Sequence, residues 1–314
     1  MSLPFFSADD VKSAVSMQEA IDLMEVAFSS VNNKTAETPL RVNMAITDQD
    51  AHHLSMPAYI NGGKYLTVKL INVHTNNPSK GADLINGIIV VMDAETGSAV
   101  ALIDGKSVTA LRTGAASGYA TKILANNYAS TLVVFGNGVQ AKAQIEAICQ
   151  VRDIESVKVI GRDSTKVELF CNKLDVRVSP GNLNDLKHAD IVCTATTSNE
   201  PLFKFNHISN GTHINAVGAH GSRKREVPAE LIQRSKVFVD SLISSYKEAG
   251  NILIPIESGD YSWDKVQCEI GQLSNSKSKG RSKESDITFF NSVGTAVQDL
   301  VVSNLIMERN TGAI

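Results

Sequence analysis

The sequence predicts two units of different class: a doubly wound α/β unit with a parallel sheet, inserted into an α+β unit built on an antiparallel sheet. Three observations carry this expectation. Short β-branched runs crowd residues 40–104 around one hairpin loop, strands alternate with helices from 131 to 217, and an apolar helical pattern returns at 289–307, too short for a domain of its own. The length agrees, since 314 residues exceed the roughly 100 to 200 of one typical domain. The expected division is 1–115 plus 292–314 for the outer unit and 116–291 for the inserted one.

Each element has a local reason. Ser16-Met17-Gln18-Glu19 has the S-x-x-E form of a capping box, and Met17, Ile21, Met24, Phe28 and Val31 follow at helical spacing, so a helix is expected over 17–31. Residues 66–71, 87–92 and 99–103 read as strands, the last two joined by Asp93-Ala94-Glu95-Thr96-Gly97-Ser98, whose residues suit a hairpin loop. An Ala-rich helix is expected from Thr113 to Ala125. Strands at 131–135, 157–160, 191–194 and 213–217 alternate with helices at 139–149 and 166–174, a pattern that implies right-handed crossovers and a parallel sheet. The Ser/Lys-rich segment 274–285 reads as a mobile loop, and Phe289 to Met307 as a helix folding back onto the first unit.

Composition excludes several classes of function. Thirty Lys and Arg against 33 Asp and Glu leave a net charge of -3, which offers no broad basic surface to a nucleic acid. No apolar run approaches the ~18 residues of a membrane helix. The N-terminus reaches two aspartates within its first ten residues and has no secretory pattern, so a cytoplasmic protein is expected. Cys149, Cys171, Cys193 and Cys268 show no C-x-x-C spacing, so neither a metal site nor a disulfide framework is expected.

The residue patterns that bear chemistry are few. Gly136-Asn137-Gly138-Val139-Gln140-Ala141 is a G-x-G-x-x-A loop between an expected strand and an expected helix. Its first glycine permits the tight turn, its second lets amides approach a pyrophosphate, and Ala141 permits close helix packing. A purely structural glycine turn gives the same letters; the strand–loop–helix–strand setting points to a dinucleotide. At the end of the second strand, where an acid would bind the adenosine ribose, stand Gly161 and Arg162. A small residue with a cation suits a 2′-phosphate, favouring NADP(H) with NAD(H) possible, and the competing reading of Arg162 is a solvated side chain. Arg41, Lys69 and Arg112 are single cations in apolar surroundings. Singly, each reads as a snorkelling edge residue; together they could converge on a carboxylate, with an arginine as bidentate clamp. His220 follows the fourth strand, at the carboxyl end where ligands of parallel sheets sit, and reads equally as a hydrogen-bonded loop histidine. Ser222-Arg223-Lys224-Arg225 reads as a solvated basic loop.

Taken in order, these residues resemble the ornithine cyclodeaminase/mu-crystallin family. Lys69 through Asn72, Met92-Asp93-Ala94-Glu95-Thr96-Gly97, Thr109 through Ser117, the glycine loop, Asn215-Ala216-Val217-Gly218-Ala219, Arg225-Glu226, Gly280-Arg281, and Asn291 through Ala296 with Asp299 all look like its signatures. The resemblance implies a central Rossmann domain, a homodimer formed through the antiparallel-sheet domain, and a catalytic cleft between the domains. It implies that Arg41, Lys69 and Arg112 hold the substrate carboxylate, with Lys69 also in proton transfer; His220, from its place at the strand end, is the other candidate donor. Thr113, Val217, Ser292 and Gly294 match positions near the nicotinamide, and Gly136, Gly138, Val139, Gln140, Arg162 and Thr194 complete the expected cofactor set.

Cyclodeaminases of the family carry an aspartate at the position of His220. Histidine titrates near neutral pH and cannot supply a permanent negative charge to a diamine. The resemblance therefore points to the ketimine-reductase branch, which reduces cyclic imino acids such as Δ1-pyrroline-2-carboxylate or Δ1-piperideine-2-carboxylate to proline or pipecolate. The alternatives it leaves are ornithine cyclodeamination, an alanine-dehydrogenase-like activity, and a non-catalytic, mu-crystallin-like NADP-dependent binding protein. The expected partners are thus a small imino or amino acid and a second copy of the chain, with no nucleic acid and no membrane.

Overall fold

The computed structural model describes residues 3–174, 177–274 and 280–310. The chain divides into two compact units, Met1–Arg112 with Thr295–Ile314, and Thr113–Gly294.

The elements of the first unit are, in order, β1 (Phe5–Phe6), α1 (Ala8–Ala14), α2 (Met17–Asn32), β2 (Ala36–Glu37), β3 (Val42–Ile46), β4 (Ala51–Ile60), β5 (Tyr65–His74), β6 (Ile85–Asp93) and β7 (Ala99–Asp104). Helix α3 (Gly105–Leu124) leads out of this unit into the second. Its first turn precedes the Ala-rich stretch because Asp104 Oδ1 accepts the Ser107 amide at 2.7 Å and the Ser107 hydroxyl at 2.6 Å, a local cap. Strands run in the order β1-β7-β6-β5-β4-β2, with β3 also paired to β4; all pairs are antiparallel except β1 with β7. Ser16 and Glu19 close the expected capping box at the start of α2, whose Ile21, Met24 and Phe28 are buried. Strand β5 alternates strictly, with Tyr65, Thr67, Lys69 and Ile71 buried on one face. The other face carries Leu66, Val68 and Leu70, flanked in register by Met92, Val90 and Ile88 of β6 and by Leu102 of β7. These stay half-buried or exposed, and Phe5, Val42 and Met44 on the same face are 54%, 63% and 54% exposed.

The second unit contains β8 (Thr131–Phe135), α4 (Val139–Val151), β9 (Ser156–Ile160), α5 (Ser164–Cys171), β10 (Val178–Pro180), β11 (Ile191–Thr194), β12 (His213–Ala216), α6 (Ala229–Arg234), β13 (Lys236–Val239), α7 (Leu242–Glu248), α8 (Gly250–Glu257), β14 (Cys268–Glu269) and β15 (Thr288–Asn291). All eight strands are parallel, in the order β10-β9-β8-β11-β12-β15-β13-β14. This is the Rossmann-type, doubly wound sheet that the alternation of strands and helices predicts. The order reverses beside β8, where crossovers leave on opposite sides and a crevice opens at the strand ends. One core cluster is built on Val134, Ile145, Ile148, Val157 and Val167; another is built on Phe135, Ile214, Leu231, Val237 and Phe289.

Helix α9 (Ala296–Asn310) returns to the first unit. The expected helix over 289–307 is corrected here: Phe289 and Phe290 belong to the parallel strand β15 and are fully buried. Over four residues a continuous apolar run does not distinguish a buried strand from a helix. Of the segment 274–285, residues 275–279 lie outside the described residues. Its end is pinned, because Arg281 donates from Nε to Leu124 O at 2.7 Å and from Nη2 to Thr288 Oγ1 at 3.0 Å. None of the four cysteines is joined in a disulfide. Among the described residues no helix is long and apolar enough to cross a membrane.

Candidate functional site

In the first unit, the central strand β5 presents Lys69 on its buried face, opposite Met56 of β4 and Ile89 of β6. Helix α9 lies on that face, with Ala296 and Leu300 packed against Met56 and Ala58. Its first turn therefore delivers Asp299 to Lys69, and Nζ lies 2.7 Å from Oδ2 with both side chains 1% exposed. Arg112 of α3 reaches the other oxygen, Nε to Oδ1 at 3.1 Å, and donates from Nη1 to Gln298 Oε1 at 2.9 Å. The Arg112 Nη2 group has no hydrogen-bond partner among the described residues. Thr109, one turn before Arg112, accepts from Lys69 Nζ at 3.4 Å.

One buried carboxylate thus faces two cations, and half-buried Arg41 adds a third positive charge to the potential at Lys69. Burial is the largest influence on Lys69. With the charges of Arg112 and Arg41 it outweighs Asp299 and pushes the ammonium pKa down to about 7. The arrangement has positive charge to spare for an anion, and an amine that gives and takes a proton at neutral pH.

In the second unit, a cavity of about 510 Å³ opens at the carboxyl ends of β8, β9 and β11. Gly136, Asn137, Gly138, Ile160, Gly161, Arg162 and the loop Ala195 to Ser198 line it. Gly136 has φ +110°, and a Cβ there would lie 2.5 Å from Ala195 O. Gly161 has no room either, since its Cβ would meet Val167 at 2.7 Å. Gly138 differs, because its backbone is extended and a Cβ would meet no protein atom within 4 Å. Gly138 is also the N-cap of α4 and lines the cavity, and it leaves the first amides of that helix without a capping side chain. A free helix N-terminus beside a glycine with open space fits a pyrophosphate. Asp163 is not among the lining residues; its carboxylate caps α5 through the Lys166 amide at 3.1 Å.

The structure gathers Lys69 and Arg112 on Asp299, and gathers Gly136, Gly138 and Arg162 around the cavity. The remaining expected residues stand apart from those lining it. Thr113 is buried and its carbonyl accepts from Gln144 at 3.3 Å. Val139 is 62% exposed, and Gln140 follows it in the first turn of α4. Thr194 is fully buried with its hydroxyl on Glu226 at 2.8 Å, so the cavity wall is formed by Thr196, Thr197 and Ser198 instead. Val217 is buried, its amide on Thr194 O at 3.0 Å. The Ser292 hydroxyl and the Gly294 amide both donate to Asp240, at 2.9 and 2.6 Å. His220 is exposed on the loop after β12.

The sequence marks Asp299 as part of a family signature without giving it a role, and does not single out Gln298. A local signal is Thr295-Ala296-Val297-Gln298, a T-x-x-Q helix start that puts both residues in a first turn. The Thr295 amide does donate to Gln298 Oε1, at 3.4 Å.

Comparison with known proteins agrees with this architecture. The model of the ornithine cyclodeaminase/mu-crystallin family matches residues 4–313, and the chain belongs to that family. A Delta(1)-pyrroline-2-carboxylate reductase of Bacillus cereus is 33% identical over 310 residues, 96% of this chain and 95% of the relative. The structure of the Thermococcus litoralis Delta(1)-pyrroline-2-carboxylate reductase in complex with NADH and L-proline superposes with a TM-score of 0.94 at 33% identity, covering 99% of this chain and 98% of that one. An archaeal alanine dehydrogenase dimer with bound NAD gives 0.93 at 31% identity, over 100% and 97% of the two chains.

The open space at Gly138 yields a direct expectation. Gly138→Ala should leave the melting temperature within about 4 °C of wild type, because extended backbone suits alanine and its Cβ would meet no protein atom within 4 Å. It should also weaken NADH binding at least tenfold in a fluorescence titration. Unchanged binding would place the dinucleotide elsewhere.

Proposed function

We propose that this protein reduces cyclic α-imino acids, Δ1-pyrroline-2-carboxylate and Δ1-piperideine-2-carboxylate, to proline and pipecolate. The observation that carries this reading is the buried Lys69–Asp299–Arg112 arrangement, with its surplus of positive charge and its amine poised near neutrality. Arg112, through its outer nitrogens, and Arg41 bind the substrate carboxylate. A carboxylate held by two guanidiniums has its orientation fixed, and with it the direction of the C=N bond. NAD(P)H, when bound, supplies a hydride for the imine carbon. Lys69 keeps the ring nitrogen protonated, loses that proton as the amine product forms, and regains one from solvent. Asp299 holds Nζ in place and keeps the ammonium from being lost altogether to burial. His220 is the second candidate donor. Similarity to named pyrroline-2-carboxylate reductases supports the choice of substrate class.

For the cofactor, the amides of α4 and the glycines at 136 and 138 hold the pyrophosphate. Arg162, with no acid beside it in the cavity lining, favours a 2′-phosphate. Thr113, Val139, Gln140, Thr194, Val217, Ser292 and Gly294 complete the cofactor set, several of them by shaping loops rather than by direct side-chain contact.

We infer a homodimer formed through the exposed face of the first unit's sheet. Phe5, Val42, Met44, Val68, Ile88, Val90 and Leu102 make an apolar patch of the kind that marks a protein interface, and a second copy of the same patch is apolar to match. Val68→Glu should convert a dimer into monomers in sedimentation velocity at micromolar concentration. A wild-type monomer, or a variant that stays dimeric, would refute this assembly.

The activity is tested by offering each cyclic imine with NADH and with NADPH. One cofactor should be oxidised per imine reduced, with NADPH the better of the two. Protonated Lys69 is the active form, so kcat/KM should be level below pH 7 and decline about tenfold per pH unit above it, whereas proline oxidation should rise through the same range. The bound carboxylate stabilises the ammonium, so the corresponding limb of kcat should lie at higher pH. Lys69→Met should lower kcat by at least about 100-fold with cofactor affinity retained. Ammonia and proline formed from ornithine without net cofactor oxidation, or full activity of Lys69→Met, would overturn the reading.

A further inference from the structure

Glu226 is fully buried in the second unit, and the mechanism above makes no use of it. Its Oε1 accepts from the Thr196 amide and the Thr196 hydroxyl, each at 2.8 Å. Its Oε2 accepts from the Thr194 hydroxyl at 2.8 Å, the Gly218 amide at 2.9 Å and the Ala219 amide at 3.2 Å. Three of these five donors are backbone amides, which cannot turn round to accept. The partners come from two separate loops. Thr196 belongs to the loop after β11 that lines the cavity, and Gly218 and Ala219 begin the loop after β12 that carries His220.

The two loops are in close contact under this carboxylate. A Cβ on Gly218 would lie 2.2 Å from Thr196 O and 2.5 Å from Glu226 Oε1, so even one methyl group would separate them. Glu226 is itself anchored, because its amide donates to Asn251 Oδ1 at 2.8 Å while Asn251 Nδ2 donates to Asn291 Oδ1 at 2.9 Å. The strand ends of β11, β12 and β15 are thereby joined through one acidic side chain and one amide.

We propose that Glu226 is a positioning residue for cofactor binding: its carboxylate locks the Thr196 wall of the cavity and the His220 loop into one block. The proposal rests on the dinucleotide reading of that cavity. Five donors stabilise the charged carboxylate, while burial, the larger influence, raises its pKa above the ordinary carboxylate value. An amide of the same shape cannot replace it. Wherever its NH2 points it meets donors, and the affected loop must swing away.

Glu226→Gln should therefore weaken NADH binding at least tenfold and lower kcat, read by fluorescence titration and imine reduction well below the variant's melting temperature. Thr194→Val removes one donor at nearly constant volume and should weaken NADH binding two- to fivefold; it decides the matter if Glu226→Gln does not fold. A purely structural role would lower the melting temperature and leave the dissociation constant of the folded fraction unchanged. If wild type binds NADH and both folded variants bind it equally well, the positioning role is wrong. If wild type binds neither NADH nor NADPH, the dinucleotide reading is wrong and the inference falls with it.

Discussion

The contact between Lys69 and Asp299 constrains everything around it. Two charges with side chains 1% exposed are tolerated only when each is closely paired with the other. Nothing local to β5 supplies the partner. The chain must leave the first sheet, build the eight-stranded sheet, and return as α9 before Asp299 can meet Lys69. The small Ala296 lets that helix lie against Met56 and Ala58, and Leu300 fills the layer beside it. Packing places the carboxylate, and the carboxylate makes a buried lysine tolerable.

The same arrangement explains the chemistry. A lysine in water keeps its proton far above neutral pH, and one buried alone would surrender it well below. Asp299 offsets part of the burial penalty while Arg112 and Arg41 oppose it, and the balance leaves the amine near pH 7. The second unit follows a related rule. There the buried carboxylates of Glu226 and Asp240 collect amides and hydroxyls from loops at the strand ends. Acidic groups shape both units by ordering donors around them, in one case an ammonium and a guanidinium, in the other backbone amides and hydroxyls.

Much of the fold was legible because its signals are local. The capping box at Ser16, the β-branched runs of β5 to β7 and the strand–glycine–helix passage at β8 all act within a few residues. The start of α3 precedes the Ala-rich stretch that the sequence marks, because Gly105, Ser107, Val108 and Thr109 have low helix propensity and the cap from Asp104 decides it. Phe289 and Phe290 fall at the start of an apolar pattern with helical periodicity that extends into α9, and only pairing with β12 and β13 shows a strand. The three cations could be picked out as charges in apolar runs, but Asp299 lies 187 positions from Arg112, a distance at which spacing carries no information. Arg225-Glu226 and Asp299 stand among the signatures of the family resemblance, but the burial and the donors that give each acid its role follow only from the tertiary fold.

Burial and Asp299 together hold the Lys69 ammonium pKa near 7 in the free protein. A titration of the lysine Cε and Nζ chemical shifts in lysine-labelled protein, with Lys69 assigned by its loss in a Lys69→Met sample, measures this directly. A single resonance pair titrating with a midpoint near pH 7, and moving lower in Asp299→Asn, is the predicted result. A midpoint at the ordinary lysine value of about 10.4 would contradict it.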